Sequence, residues 1–221
     1  MKGLRVGGRL REIPAWNRGG PRRLMRARGC DRECAVTRAN RVTPWGQVVE
    51  GHERGYFMGN RDYGDAWITC SLRHPDGTTG PSPVAYRKLF FLDEATALAA
   101  GHRPCGQCRR KDYDVFKRFW DAAVEAPMDP TLRKECDAVA GTTSGRATRR
   151  AEQLPSGAMF DIEGKAYLAW QRVAYLWSPT GYGVAGLLKD LGKVQVLTPP
   201  STEHVLEAGY RPWVHPSVLM P

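Results

Sequence analysis

The sequence predicts an α+β protein: a small sheet with flanking helices, followed by a smaller β-rich region that ends in a helix. Three observations predict it. Leu89 to Arg110 reads as strand, short helix, turn and a pair of cysteines. Lys111 to Val124 repeats large apolar side chains every three to four positions, the period of an amphipathic helix. Between Ala158 and Leu197, short apolar runs alternate with glycine- and proline-bearing turns, and a capped helical pattern follows.

Length and charge narrow the class. A chain of 221 residues, 42% hydrophobic and carrying 7 Trp and 8 Tyr, can bury a sizeable core in one ordinary domain or two small ones. No apolar run reaches the length of a membrane span, and the N-terminus has arginines without the apolar segment of a secretory leader. Six cysteines over such a chain, two of them as C-x-x-C, fit metal binding in a reducing, cytoplasmic setting better than a disulfide framework. The formal net charge is +10, but residues 1–40 hold 11 Lys or Arg against 3 Asp or Glu, so the remainder carries only about +2. That arm, rich in Gly, Pro and Arg without periodicity, reads as a basic, disordered extension. It either adds salt-dependent phosphate contacts or stays a passive tail.

After the arm, residues 41–126 form the first predicted domain. Val42 to Val49 reads as a short strand interrupted by a Pro-Trp-Gly turn, and His52 to Asp62 supplies turn residues and aromatics. Trp67 to Leu72 alternates as a strand does, with Ile68, Cys70 and Leu72 on one face and Trp67, Thr69 and Ser71 on the other. Pro75 to Pro83 is a mobile loop by composition. Leu89-Phe90-Phe91 suits a buried strand. Asp93 offers its carboxylate to a helix N-terminus, Ala95 to Ala100 are strong helix formers, and Gly101 stands where a left-handed residue ends the helix. In the next helix Tyr113, Phe116, Trp120 and Ala123 make a stripe that docks on the sheet.

Residues 127–153 read as a linker. A short helix from Asp129-Pro130 through Val139 keeps Cys136 away from the other thiols, and Gly141 to Arg150 is flexible and basic. Residues 154–221 are the β-rich domain, with strands at Ala158–Ile162, Ala166–Trp170, Val173–Trp177 and Lys193–Leu197 about a Pro179–Gly183 loop, curling into a small sheet or barrel. Ser201 caps a helix through Ala208 that Gly209 ends. Trp170, Trp177 and Tyr182 are read as core aromatics, with base stacking as the alternative.

The chemistry concentrates at Arg103-Pro104-Cys105-Gly106-Gln107-Cys108, a spacing that lets two sulfurs face one metal. A thioredoxin-like redox pair shares the spacing, but there the cysteines open a helix directly after a strand, whereas here a helix and a Gly-His-Arg-Pro turn intervene. Two unlinked buried cysteines fit less well still, because Arg103, Arg109, Arg110 and Lys111 make a cationic setting that favours thiolate.

From Phe91 to Arg109 the chain resembles the second half of the metal-binding, methylphosphotriester domain of the Ada DNA-repair proteins. The family pattern is an aromatic, an alanine-rich helix, glycine, an aromatic, then Arg-Pro-Cys-x-x-Cys. The resemblance extends over about residues 56–120 and is strongest over 89–110. It implies a zinc-stabilised fold and a first cysteine pair upstream at a strand end. Cys70 matches the first of these, and His74 stands where the family has its second. The implied ligand set is Cys70, His74, Cys105 and Cys108 around Zn. DNA is the implied partner, held by its backbone, and Cys70 is the implied acceptor of a methyl group from a damaged phosphate. Arg103, Arg109, Arg110, Lys111, Lys117 and Arg118 are the candidate phosphate contacts, the alternative being a solvated helix face.

Other completions of the metal site stay open: His102, three residues before Cys105, and the C-x-x-x-C of Cys30 and Cys34 in the arm. His52 has no partner spacing. Glycine-rich phosphate loops and G-x-S-x-G elbows are absent. The competing functions are a structural zinc knuckle in a protein- or RNA-interaction module, and an enzyme whose zinc keeps an open water position.

Overall fold

The computed structural model describes residues 39–52, 56–63, 65–71, 89–139 and 145–218. The arm through residue 38, with Cys30 and Cys34, and the segment 72–88, with His74 and the loop 75–83, lie outside them. In chain order the strands of the first sheet are β1 (Ala39–Val42), β2 (Val48–His52), β3 (Phe57–Tyr63), β4 (Ala66–Ser71), β5 (Leu89–Phe91) and β6 (Arg103–Pro104). Those of the second are β7 (Thr148–Arg150), β8 (Met159–Ile162), β9 (Lys165–Trp170), β10 (Val173–Ser178), β11 (Gly181–Leu187) and β12 (Lys193–Val196). The helices are α1 (Glu94–Ala99), α2 (Arg110–Ala123), α3 (Met128–Ala138) and α4 (Pro200–Glu207). The class is α+β, as predicted. None of these helices is long and apolar enough to cross a membrane.

The first sheet is mixed, in the order β2-β1-β5-β3-β4-β6, with β1/β5 and β4/β6 parallel. The second is antiparallel throughout, in the order β11-β10-β9-β8-β12-β7. It is an open sheet with β11 and β7 as edges rather than a barrel.

Helix α1 is buried on every side, and each of its faces feeds a different part of the interior. Leu98 joins Phe116 and Trp120 of α2, Leu132 of α3, Phe160 and Leu206. Ala95 and Ala99 join Leu92, Met159, Leu168, Tyr182 and Val214. Ala97 and Ala100 meet Val42, Leu89 and Phe91 of the first sheet. Small residues let three sets of neighbours approach one short helix. Side chains from both predicted domains, and from the predicted linker through Leu132 and Ala151, therefore meet in shared clusters. The stripe of α2 docks there too, Phe116 edge-on to Tyr210 with centroids 5.1 Å apart.

Four expectations are corrected. The turn-rich stretch 52–62 contains β3, held between β4 and β5. Pairing on both sides outweighs the weak strand preference of Gly59, whose bare backbone is required because a Cβ would lie 2.6 Å from the Phe91 ring. The basic stretch 141–150 ends in strand β7, paired with β12. The glycine-rich segment after Pro179 is strand β11, paired with β10. At α4 the cap residue is Pro199, and Ser201 instead donates its hydroxyl to Glu135 at 2.6 Å. Gly101 does take the left-handed conformation expected of it, φ 78°.

Candidate metal centre

Parallel pairing of β4 with β6 sets Ile68 opposite Arg103 and Thr69 opposite Pro104, and the Cys105 N–H donates to the Thr69 carbonyl at 2.9 Å. One step further along that register, Cys70 lies beside Cys105. The next turn is closed by the Arg109 N–H on the Cys105 carbonyl at 3.2 Å, which brings Cys108 back toward the same point. The sulfurs of Cys70, Cys105 and Cys108 lie within 4.8 Å of one another, and all three cysteines are free. A tetrahedral ion with metal–sulfur bonds of about 2.3 Å sets its sulfurs about 3.8 Å apart. The triad therefore fits one ion with at most a modest contraction.

Backbone N–H groups turn toward these sulfurs: Ser71 N–H donates to Cys108 Sγ and Gln107 N–H to Cys105 Sγ, both at 3.4 Å. Helix α2 begins immediately after Cys108, and its N-terminal field also favours negative sulfur. With protons alone to balance them, the thiols ionise unequally. Donation from Cys108 and Cys70, helped by the Gln107 N–H, draws Cys105 well below the ordinary thiol range. Donating to Cys105 and Cys108 from a half-buried position pushes Cys70 up. A divalent cation would replace those shared protons.

The other sequence candidates separate clearly. His102 is packed between Trp67 and Phe91, ring centroids at 5.3 and 4.7 Å, with Nδ1 2.9 Å from the Ala100 carbonyl. It is a packing residue outside the sulfur group. Cys136 packs its sulfur on Gly101, where a Cβ would sit 2.2 Å away, apart from the triad as expected.

The six candidate phosphate contacts divide in two. Arg103 grips Asp129 in a two-pronged pair, Nε–Oδ1 2.7 Å and Nη2–Oδ2 2.9 Å, with its guanidinium over Tyr113. Arg109 faces inward: it donates to Glu94 and to Thr69 Oγ1, both at 2.6 Å, pairs with Asp112, and lies over the Phe57 ring. With its guanidinium committed to these partners and the residue only 5% exposed, its assignment to phosphate is corrected. Arg110, Lys111, Lys117 and Arg118 are exposed on α2. Arg110 pairs with Asp114 and Lys117 with Asp121.

Sequence reasoning passed over Glu94, which accepts from Arg109, from the Tyr210 hydroxyl at 2.8 Å and from the Trp213 N–H at 2.8 Å. Through it the turn that carries Cys108 is tied to α1 and to the C-terminal segment. Its signal was a second carboxylate at the head of the alanine-rich helix, where burial demands a cation.

Comparison of the chain with protein-family models, with curated proteins and with solved structures finds no match.

Proposed function

We propose that Cys70, Cys105 and Cys108 hold one zinc ion, with His74 as the fourth donor, in a domain that sits on the DNA backbone and takes a methyl group from a methylated phosphate onto Cys70. The observation that carries this reading is the meeting of Cys70 with the distant C-x-x-C. The resemblance to the Ada metal-binding domain supplies the rest: the strand-borne first cysteine, zinc and DNA.

Bound zinc keeps its cysteine ligands deprotonated at neutral pH. The Cys70 sulfur then attacks the methyl carbon of the phosphotriester. The S–C bond forms as the C–O bond breaks, the phosphodiester anion leaves, and Cys70 ends as a thioether. Nothing regenerates it, so each chain reacts once. Arg110, Lys111, Lys117 and Arg118 are exposed on the helix that follows Cys108. Exposed pairs such as Arg110–Asp114 are worth little and exchange readily for phosphate.

Metal analysis of the purified protein and its mass after exposure to methylated DNA test the reading. One zinc per chain and a gain of one methyl group, lost in Cys70→Ser, are expected; a Cys70→Ser protein that still gains the methyl sinks the acceptor role. A second reading is a structural zinc knuckle in a protein- or RNA-interaction module, favoured by the commitment of Arg103 and Arg109 to protein carboxylates. It predicts zinc without methyl uptake, and DNA affinity that does not fall steeply with salt.

A further inference from the structure

Away from the cysteines, a cleft of about 160 Å³ opens where the end of α1, the end of α3, the approach to β7 and the exit of β12 converge. Trp45, from the β1–β2 turn, closes one side, and Ala100, Val139, Val196, Leu197 and Pro199 add apolar wall. The cation facing this space is Arg146. Its Nη1 donates to the Leu197 carbonyl over a long 3.4 Å, and Asp161 acts on its charge only from beyond ion-pair distance.

Two carboxylates lie nearby, each hydrogen-bonded to neutral donors rather than to Arg146. Asp161 accepts from Trp45 Nε1 at 2.9 Å and from the Gly164 N–H at 3.0 Å. Glu135, which also lines the cleft, turns its carboxylate to the Ser201 N–H and hydroxyl at the start of α4. Among the described residues no carboxylate forms an ion pair with Arg146, and burial draws its pKa down, which marks a charge partly stripped of water.

We propose that this cleft binds a small carboxylate whose apolar body is a single ring or a short branched chain, the carboxylate on Arg146 and the body against Trp45. Size sets the body, since an apolar cavity of about 150 Å³ accommodates one benzene. Chemistry sets the head: a guanidinium fork matches a carboxylate in two parallel hydrogen bonds, and a desolvated fork gains most from it. The cleft is built without the cysteine group, so it stands or falls separately from the zinc reading.

Benzoate is the probe, titrated into the full-length, metal-replete chain while the amide resonances of Ala100, Ala147 and Val196 are followed. Saturable shifts are expected at those amides, with benzyl alcohol binding at least tenfold more weakly. Arg146→Leu weakens benzoate at least tenfold, whereas Arg150→Leu, which removes an exposed charge of the same sign nearby, leaves it within twofold. Val139→Trp fills the cleft from its rim and abolishes the shifts while the remaining spectrum is kept. No saturable shift with benzoate, equal binding of benzyl alcohol, or undiminished binding to Val139→Trp overturns the proposal. Should Arg146→Leu fail to fold, Arg146→Lys retains charge without the fork, and an unchanged affinity there overturns it too.

Discussion

Arg109 follows a cysteine of the triad, yet its charge is spent inside the protein on a buried carboxylate. Coulomb attraction alone seldom repays the desolvation of two such ions; here Thr69, Tyr210 and the Trp213 N–H satisfy the remaining hydrogen-bonding positions. Removing one partner is therefore costly. Arg109→Met leaves Glu94 without its countercharge, and a loss of about 3–5 kcal/mol is expected in urea unfolding. Arg110→Met, on the exposed face, should stay within about 0.5 kcal/mol. Equal stability of the two variants would refute the pairing as a source of stability. The difference between these neighbours was legible in the sequence. Positions 109, 113, 116 and 120 share the apolar stripe of α2, whereas 110, 114, 117 and 121 share a charged face about a quarter-turn round the helix. Counting cations beside the thiols registered their charge and missed their direction. The C-x-x-C could be read from its own spacing; Cys70 was reached only through the family resemblance, because the β4–β6 register that brings it there leaves no local signal.

Among the elements, α1 was the most readable because its signals are local: a capping aspartate, an alanine run and a glycine stop. The Asp93 cap does more than a cap does. Besides the Thr96 N–H at 2.8 Å and its hydroxyl at 2.6 Å, it accepts from the Tyr182 hydroxyl at 2.9 Å and the His215 N–H at 3.1 Å. Asp93→Ala is expected to cost about 3 kcal/mol by denaturant titration, beyond the roughly 1 kcal/mol of an ordinary cap, because two buried donors lose their acceptor. A loss near 1 kcal/mol would mean that those donors find water instead. Strands β3, β7 and β11 escaped notice for the opposite reason: glycines and charges weaken their local signal, and partners in the sheet decide their state.

Helix α4 carries a pH signature. Burial lifts the Glu203 carboxyl from an ordinary 4.5 to about 7, Arg149 opposing and Glu207 adding to it. Arg149 Nε lies 3.0 Å from Oε1, but that oxygen has no aligned hydrogen bond, so burial prevails over the pairing. A carboxyl raised on folding favours the native state most below its unfolded value and withdraws that support as pH climbs to the folded one. Stability should therefore fall by up to about 3 kcal/mol from this group between pH 4.5 and 7. Glu203→Gln should flatten that part of the curve, and a variant with the wild-type slope would place the titration elsewhere.

At the scale of the molecule, the triad sits on an interior common to both regions. Cys108 leads through Arg109 and Glu94 to Tyr210 and Trp213, and α1 packs against both sheets. Ligand binding confined to the native state stabilises whatever unfolds with the site. With free zinc a hundredfold above its Kd, the gain is about 2.7 kcal/mol, which for a chain of this length raises Tm by roughly 5–10 °C. Because the interior is shared, the whole transition should move. Chelation should lower a single calorimetric transition rather than split it, and the shift should shrink as pH falls, since protons compete for the three sulfurs. Scans with and without chelator, at two pH values, measure both effects. A melt that divides on chelation, one part unmoved, would show that the regions unfold separately despite their shared side chains; a transition indifferent to zinc would remove the metal from the stability of the fold.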